Sequence, residues 1–266
     1  MGNIEIDFAV YWTWFLLFIR MGALFSALPG IGTDQVPERF RLMPAITIAA
    51  CVALGGVRAH TPATLAEGGL MMGSELALGY ILGFIPQLVL GGLTVAGQII
   101  AGSVGLAQAN MIDHSLGESV SIISRLKAQI GVLVFLFMDG HHIVIRAASG
   151  IASDVGIGMF RPGADTFAIL LERFVSAFHL SIVISAPIIV SALLTQFVLG
   201  LVIKFVPQVN IFIISLPLSI IAGLYIIEVT FPGLVYHVEH EFKFLEEALA
   251  RVFASSDIPA AISQQP

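Results

Sequence analysis

The chain has 266 residues, 57% of them hydrophobic and 11% charged, with a mean hydropathy of +0.96. Soluble domains carry about 25% charged residues, so a soluble core is excluded and the composition is that of an integral membrane protein. A net charge of −6 with no basic tract argues against nucleic acid as a partner, and the single cysteine, Cys51, has no internal disulfide partner.

The N-terminus lacks a signal peptide's pattern. Glu5 and Asp7 stand where a positive region belongs, and no small-x-small cleavage site follows, so the first helix is expected to stay. That helix, Phe8 to Leu28, is long enough to cross a bilayer. Tyr11, Trp12 and Trp14 cluster at its start as an interfacial aromatic belt would. Arg20 lies inside it, at a depth where a lone charge is costly. Snorkelling, an ion pair with a neighbouring helix, an assembly contact and a transport role all remain open for it.

The next stretch, LPGIGTDQVPERFRLMP, is a rigid turn built on Pro29, Gly30, Gly32, Pro37 and Pro44. Arg39 and Arg41 are offset by Asp34 and Glu38, so charge does not fix orientation. Ala45 to Val57 is short for a span: it is either extended by the preceding residues or a half-helix. Glu67 to Ala107 is too long for one straight span. A kink at Pro86, or a break near Gly91-Gly92 making a helical hairpin, is expected. Gly69, Gly73, Gly79 and Gly83 are small-xxx-small pairs that let helix backbones approach closely. Glu75 and Gln98 need partners within protein and not lipid.

Residues Gln108 to Lys127 form a polar island between two apolar blocks, with loop chemistry but an apolar tip at Met111 and Ile112. The block after it, Ile130 to Ile145, is broken at Asp139-Gly140-His141-His142. A loop cap at a helix end is expected there. No metal is expected, because adjacent histidines point to different helix faces and no second cluster completes a coordination shell. Gly156 to Asp165 is another turn. Phe167 to Phe205 is again double-length, with Glu172-Arg173 expected at its helix entry. After VPQVN, Ile211 to Phe231 carries Pro217 and is expected to end at Pro232-Gly233. From Tyr236 the pattern changes: Val238, Phe242, Leu245, Leu249 and Val252 recur at helical spacing, with Glu239, Glu246, Glu247 and Arg251 on the other faces. This reads as an acidic amphipathic helix that docks on a protein partner. His237 and His240 read as a solvated face. The domain reading is therefore a helical membrane core over 1–235, an amphipathic helix over 236–253 and a disordered tail over 254–266. No enzyme motif and no cofactor fingerprint is found.

Several of these turns occur in an order that resembles the FliR family of flagellar type III export-gate proteins, whose injectisome counterpart is SctT. The matching residues are the turn Pro29, Gly32, Pro37, Arg39 and Arg41; Gly97-Gln98-Ile99-Ile100 leading to Gly105; Asp113; Ser124-Arg125; Phe135 through Asp139-Gly140-His141; Ile157-Gly158; and Pro207-Gln208-Val209-Asn210-Ile211-Phe212 followed by Pro217. Together they cover about residues 5 to 253. His114 stands where the family often has Pro, and Gly156-Ile157-Gly158 stands for a Pro-Ile-Gly turn.

The resemblance implies an all-α membrane protein that joins FliP-like and FliQ-like subunits in a helical gate at the bacterial inner membrane, in the flagellar basal body. It implies FlhB-like and FlhA-like components around the gate and unfolded flagellar subunits passing through it, alongside membrane lipid. Pro37, Arg39, Asp139, Gly140, His141, Pro207, Asn210 and Pro217 become turn and assembly residues. The island, about 106–122, becomes a pore plug. Met111 and Ile112 are then the sealing tip, with Gln108, Asp113, His114 and Glu118 holding the loop and Gly105 and Gly117 acting as hinges. The equivalent subunit of a virulence-type injectisome is the close alternative. From another class, a self-sufficient secondary transporter would need a repeat of its halves and a charged site between broken helices. The two double-length segments, 67–107 and 167–205, supply some of that symmetry.

Overall fold

The computed structural model describes residues 8–32, 37–105, 122–151, 155–205 and 211–256. Among these residues every regular element is a helix, as the composition requires: α1 Phe8–Ala27, α2 Glu38–Leu54, α3 Leu65–Val104, α4 Ile122–Phe137, α5 Gly140–Ala148, α6 Ala164–Phe205, α7 Ile211–Lys243 and α8 Leu245–Ala254. Four helices are long and apolar enough to cross a membrane, or five spans if α4 and α5, bent by 67° at their break, count as one. The chain is an all-α membrane protein.

The ends of these helices follow local chemistry. α1 stops where Pro29 and Gly30 follow, Gly30 taking φ 80° and Gly32 donating its N–H to the Leu28 carbonyl at 2.7 Å. Pro37, at φ −56° and ψ 141°, is the last extended residue before α2, and Glu38 places an acid in its first turn. α2 therefore extends the short apolar run backwards through Arg39 and Arg41, and carries Pro44 inside it.

The hairpin expected in α3, the helix entry expected at Glu172-Arg173 and the end expected at Pro232-Gly233 are absent. α3 is continuous for 40 residues through Pro86 and Gly91-Gly92, so no hairpin forms there. Its length of about 60 Å is twice the hydrocarbon thickness of a bilayer. α6 runs 42 residues through Pro187; it begins at Ala164, and Glu172-Arg173 lie two turns inside and not at the entry. α7 passes through Pro217 and Pro232-Gly233 and continues to Lys243. A proline removes one backbone hydrogen bond and crowds one carbonyl. In a long apolar helix the remaining ladder holds the segment together, because hydrocarbon offers no other partner for its backbone.

The chain forms two compact units, one of Met1–Leu88, Phe135–Arg173 and Phe242–Pro266, the other of Val89–Val134 and Phe174–Glu241. In the first, Leu16 and Leu17 of α1 pack with Ala49, Val52 and Ala53 of α2, Met71 of α3 and Ile157. Trp12 and Trp14 pack against this core, while Tyr11 stays exposed. The amphipathic period read from Val238 onward is present: Val238, Phe242, Leu245, Leu249 and Val252 are all buried. Its break falls at Phe244, and α8 packs on α5 of the same chain.

In the second unit the C-terminal half of α3 is the hub. Ile100 and Val104 cluster with Ile123 of α4 and Ile188 of α6, and with Ile220, Ile226 and Ile227 of α7. Three of the closest approaches are made at glycine: a Cβ on Gly92 would strike the Ala177 carbonyl, one on Gly131 the side chains of Leu90 and Leu93, and one on Gly223 the side chain of Val104.

Candidate functional site

The strongest polar feature of the first unit lies at the contact of α1 and α3. Gly79 and Gly83 have no side chain to keep the helices apart. A Cβ on Gly79 would collide with the Arg20 carbonyl and stand 2.8 Å from the Ala23 Cβ; one on Gly83 would stand 2.8 Å from the Ala27 Cβ. The successive pairs 79–20, 79–23 and 83–27 show the two helices running parallel here. One turn before Gly79 lies Glu75, and that close approach sets it against Arg20.

The two side chains are fully buried. The Arg20 Nη2 donates to Glu75 Oε1 at 2.8 Å, and Nε donates to Oε2. This is the bidentate geometry in which a guanidinium and a carboxylate satisfy one another. Arg20 Nη1 also donates to the Ala148 carbonyl at the end of α5, at 3.2 Å. The backbone N–H of Gly158 donates to Glu75 Oε1. Gly158 can lie there because it takes φ 83° and because a Cβ would strike Met71. One ion pair therefore ties α1, α3, α5 and the 155–158 turn together. Arg20 does not snorkel. The sequence carried a signal for this pair: two lone charges in apolar helices, each needing a partner inside protein. Gln98, the other such residue, is exposed in this chain.

In the second unit α3 and α4 form an antiparallel pair, Gly97 against Ser124 and Leu90 and Leu93 against Gly131. A Cβ on Gly97 would overlap the Ser124 Cα and lie 2.8 Å from its Oγ. Two separate sequence motifs, Gly97-Gln98-Ile99-Ile100 and Ser124-Arg125, are thus halves of one contact. At the end of α3, Gly105 takes φ 88° and no atom would meet a Cβ there. The expected plug residues Gln108, Met111, Ile112, Asp113, His114, Gly117 and Glu118 lie outside the described residues, as do Pro207 and Asn210.

The Phe135 to His141 motif has a packing reason. Phe135 is fully buried and its ring lies 5.2 Å from that of Phe242. A Cβ on Gly140 would run into the same Phe135 ring. Asp139, between α4 and α5, is at φ 55°, the one non-glycine residue with positive φ among the described residues. It precedes the helix as expected, although its side chain does not cap the backbone. Its Oδ1 lies 3.0 Å from His142 Nδ1. Adjacency does not separate the two histidines here: their ring centroids are 4.0 Å apart. Of the other expected assembly residues, Pro37 precedes α2, Arg39 is exposed on it, and Pro217 lies inside α7.

Comparison with known proteins places these motifs in one family. Residues 11–245 match the bacterial export proteins, family 1. The chain belongs to this family, the FliR family. It is 28% identical over 221 residues to the flagellar biosynthetic protein FliR of Caulobacter vibrioides, covering 82% of this chain and 88% of that protein. The FliR of Escherichia coli is 25% identical over 241 residues, covering 91% and 92%. That of Borreliella burgdorferi is 30% identical over 189 residues, covering 68% of each.

Proposed function

We propose that this chain is a non-enzymatic, pore-forming subunit of the flagellar type III export gate in the bacterial inner membrane, passing unfolded flagellar subunits. Its relatives carry the name flagellar biosynthetic protein, which favours the flagellar system over an injectisome. The observation that carries the reading is the length and bareness of the later helices. In the most apolar window of α3, 61% of residues are buried within the chain; in those of α6 and of α7 with α8, the figures are 28% and 11%. α6, at about 63 Å, is too long to lie straight across the hydrocarbon. Phe174, Phe178, Leu194 and Phe197 on α6, and Ile221 and Tyr225 on α7, are at least half exposed. Helices of FliP-like and FliQ-like subunits would cover such faces, with lipid on the remainder, and FlhB-like and FlhA-like components outside. The residues 106–121 join α3 to α4. In this reading they plug the closed pore, Met111 and Ile112 sealing it and Gly105 and Gly117 hinging it.

The test is a C-terminal tag on this chain in its own host, extraction in mild detergent, and identification of what co-purifies. FliP-like, FliQ-like and FlhB-like proteins in one stable complex would support the reading. Injectisome counterparts would keep the mechanism and change the system. A stable lone chain or homodimer would overturn it.

A further inference from the structure

We propose that Asp139, His141 and His142 bind one first-row divalent cation of the zinc class, which clamps the corner between α4 and α5. Each of the three offers one ligand atom, and these atoms all lie within 4.8 Å of one another. Asp139 Oδ1 and His142 Nδ1 are already 3.0 Å apart. Two ligands at zinc-bond lengths of about 2.0–2.2 Å stand roughly 3–3.5 Å apart, so this pair is spaced to share an ion. Asp139 sits at the break with φ 55°, immediately before the first turn of α5.

A second observation points to a ligand. His141 Nδ1 is buried and has no hydrogen-bond partner among the described residues. A buried polar nitrogen left in that state is unfavourable, and a metal bond would satisfy the ring. The donor set selects the ion. Two imidazoles and one carboxylate suit zinc and its first-row neighbours, whereas calcium and magnesium demand oxygen. Three protein ligands leave one position free, as in open zinc sites. Asp139 and His142 line a cleft of about 1030 Å³ between α2, α5 and α8, and Glu246 of α8 lines it too. The ion would join the residue at the helix break to the turn that follows it, so its role is to hold the corner and not to activate water.

The test uses the full-length chain with whatever subunits accompany it, purified in mild detergent through a tag free of histidine. Cobalt(II) is titrated alone and its visible d–d absorption is read, then zinc is added in competition. The expected result is one cobalt ion per chain, displaced by zinc, with a rise in the thermal unfolding midpoint when zinc is bound. His141→Ala and His142→Ala should each weaken binding by at least about tenfold, since loss of an outer partner alone costs that much in characterised sites. His142→Gln, which keeps the size of the side chain and a hydrogen bond to Asp139, serves if the alanine variant does not accumulate. His237→Ala with His240→Ala should leave binding unchanged. Cobalt that binds equally well to the His141 and His142 variants, or a zinc-independent unfolding midpoint, would overturn the proposal.

Discussion

Arg20 and Glu75 meet across the α1–α3 contact with no side-chain surface exposed, the guanidinium giving two nitrogens to the two carboxylate oxygens. Breaking a buried pair on one side leaves an uncompensated charge, at a cost of about 3–5 kcal/mol. Arg20→Ala or Glu75→Ala should therefore lower the unfolding midpoint sharply and reduce accumulation in the membrane. Replacing both together, Arg20→Met with Glu75→Leu, should lose much less, because no buried charge remains. Thermal unfolding in detergent measures this. A double variant no better than the worse single one would show that the pair is not the unit of stability.

The glycines of α3 should divide into two classes. Gly79 and Gly83 are buried against α1, whereas Gly69 and Gly73 are exposed and nothing would meet a Cβ on them. Gly79→Val should abolish the folded chain. Gly73→Val should leave the isolated chain's stability within about 0.5 kcal/mol of its original value. If a partner helix packs on Gly73, the same variant should lose co-purifying subunits while the chain itself still accumulates.

Gly140→Ala introduces a methyl group into the space of the Phe135 ring. Overpacking of this kind costs about 1–3 kcal/mol. Adding Phe135→Leu should recover part of the loss, because the colliding ring is removed; circular dichroism melts of the three variants would read the coupling. Independent, additive effects would mean the two residues do not share the space.

Deleting Gln108 to Glu118 should leave assembly intact and let small solutes leak across the membrane. Uptake of a small impermeant dye by cells carrying the deletion reads this directly. A tight membrane in a correctly assembled deletion variant would remove the plug from the proposed mechanism.

Two contacts of α8 should differ in weight. Leu249 is 1% exposed, and Leu249→Asp should detach the helix from α5 and lower stability by several kcal/mol. Arg251 also bonds Glu172, at 2.9 Å, but both side chains are about half exposed. Arg251→Ala should change stability by less than about 1 kcal/mol. Proteolysis near the C-terminus would report either change.

Much of this was legible in the sequence because it rests on local chemistry. The apolar excess alone required membrane helices, since nothing else satisfies a backbone in hydrocarbon. The turns at Pro29–Gly32 and Asp139-Gly140 and the amphipathic period from Val238 onward were readable for the same reason: they depend on a few neighbouring residues. The order of those turns also carried the family. Helix continuity was not legible. A hairpin near Gly91-Gly92 and an end at Pro232-Gly233 were expected, and both stretches lie inside a helix, because in hydrocarbon the backbone finds no partner outside the helical ladder.

Tertiary structure alone decided which lone residues belong together. Arg20 and Glu75 are 55 positions apart, and each needed a partner, but only the glycine-lined approach of α1 and α3 selects the pair. Gly97 and Ser124 are two motifs on two helices until α3 and α4 pack at them. Adjacent His141 and His142 would fall on different faces of an ideal helix, yet with Asp139 their ligand atoms lie within 4.8 Å of one another. The amphipathic tail shows a face that must be covered, and within this chain α8 packs on α5. Periodicity states that a face must be covered; long-range packing states by what.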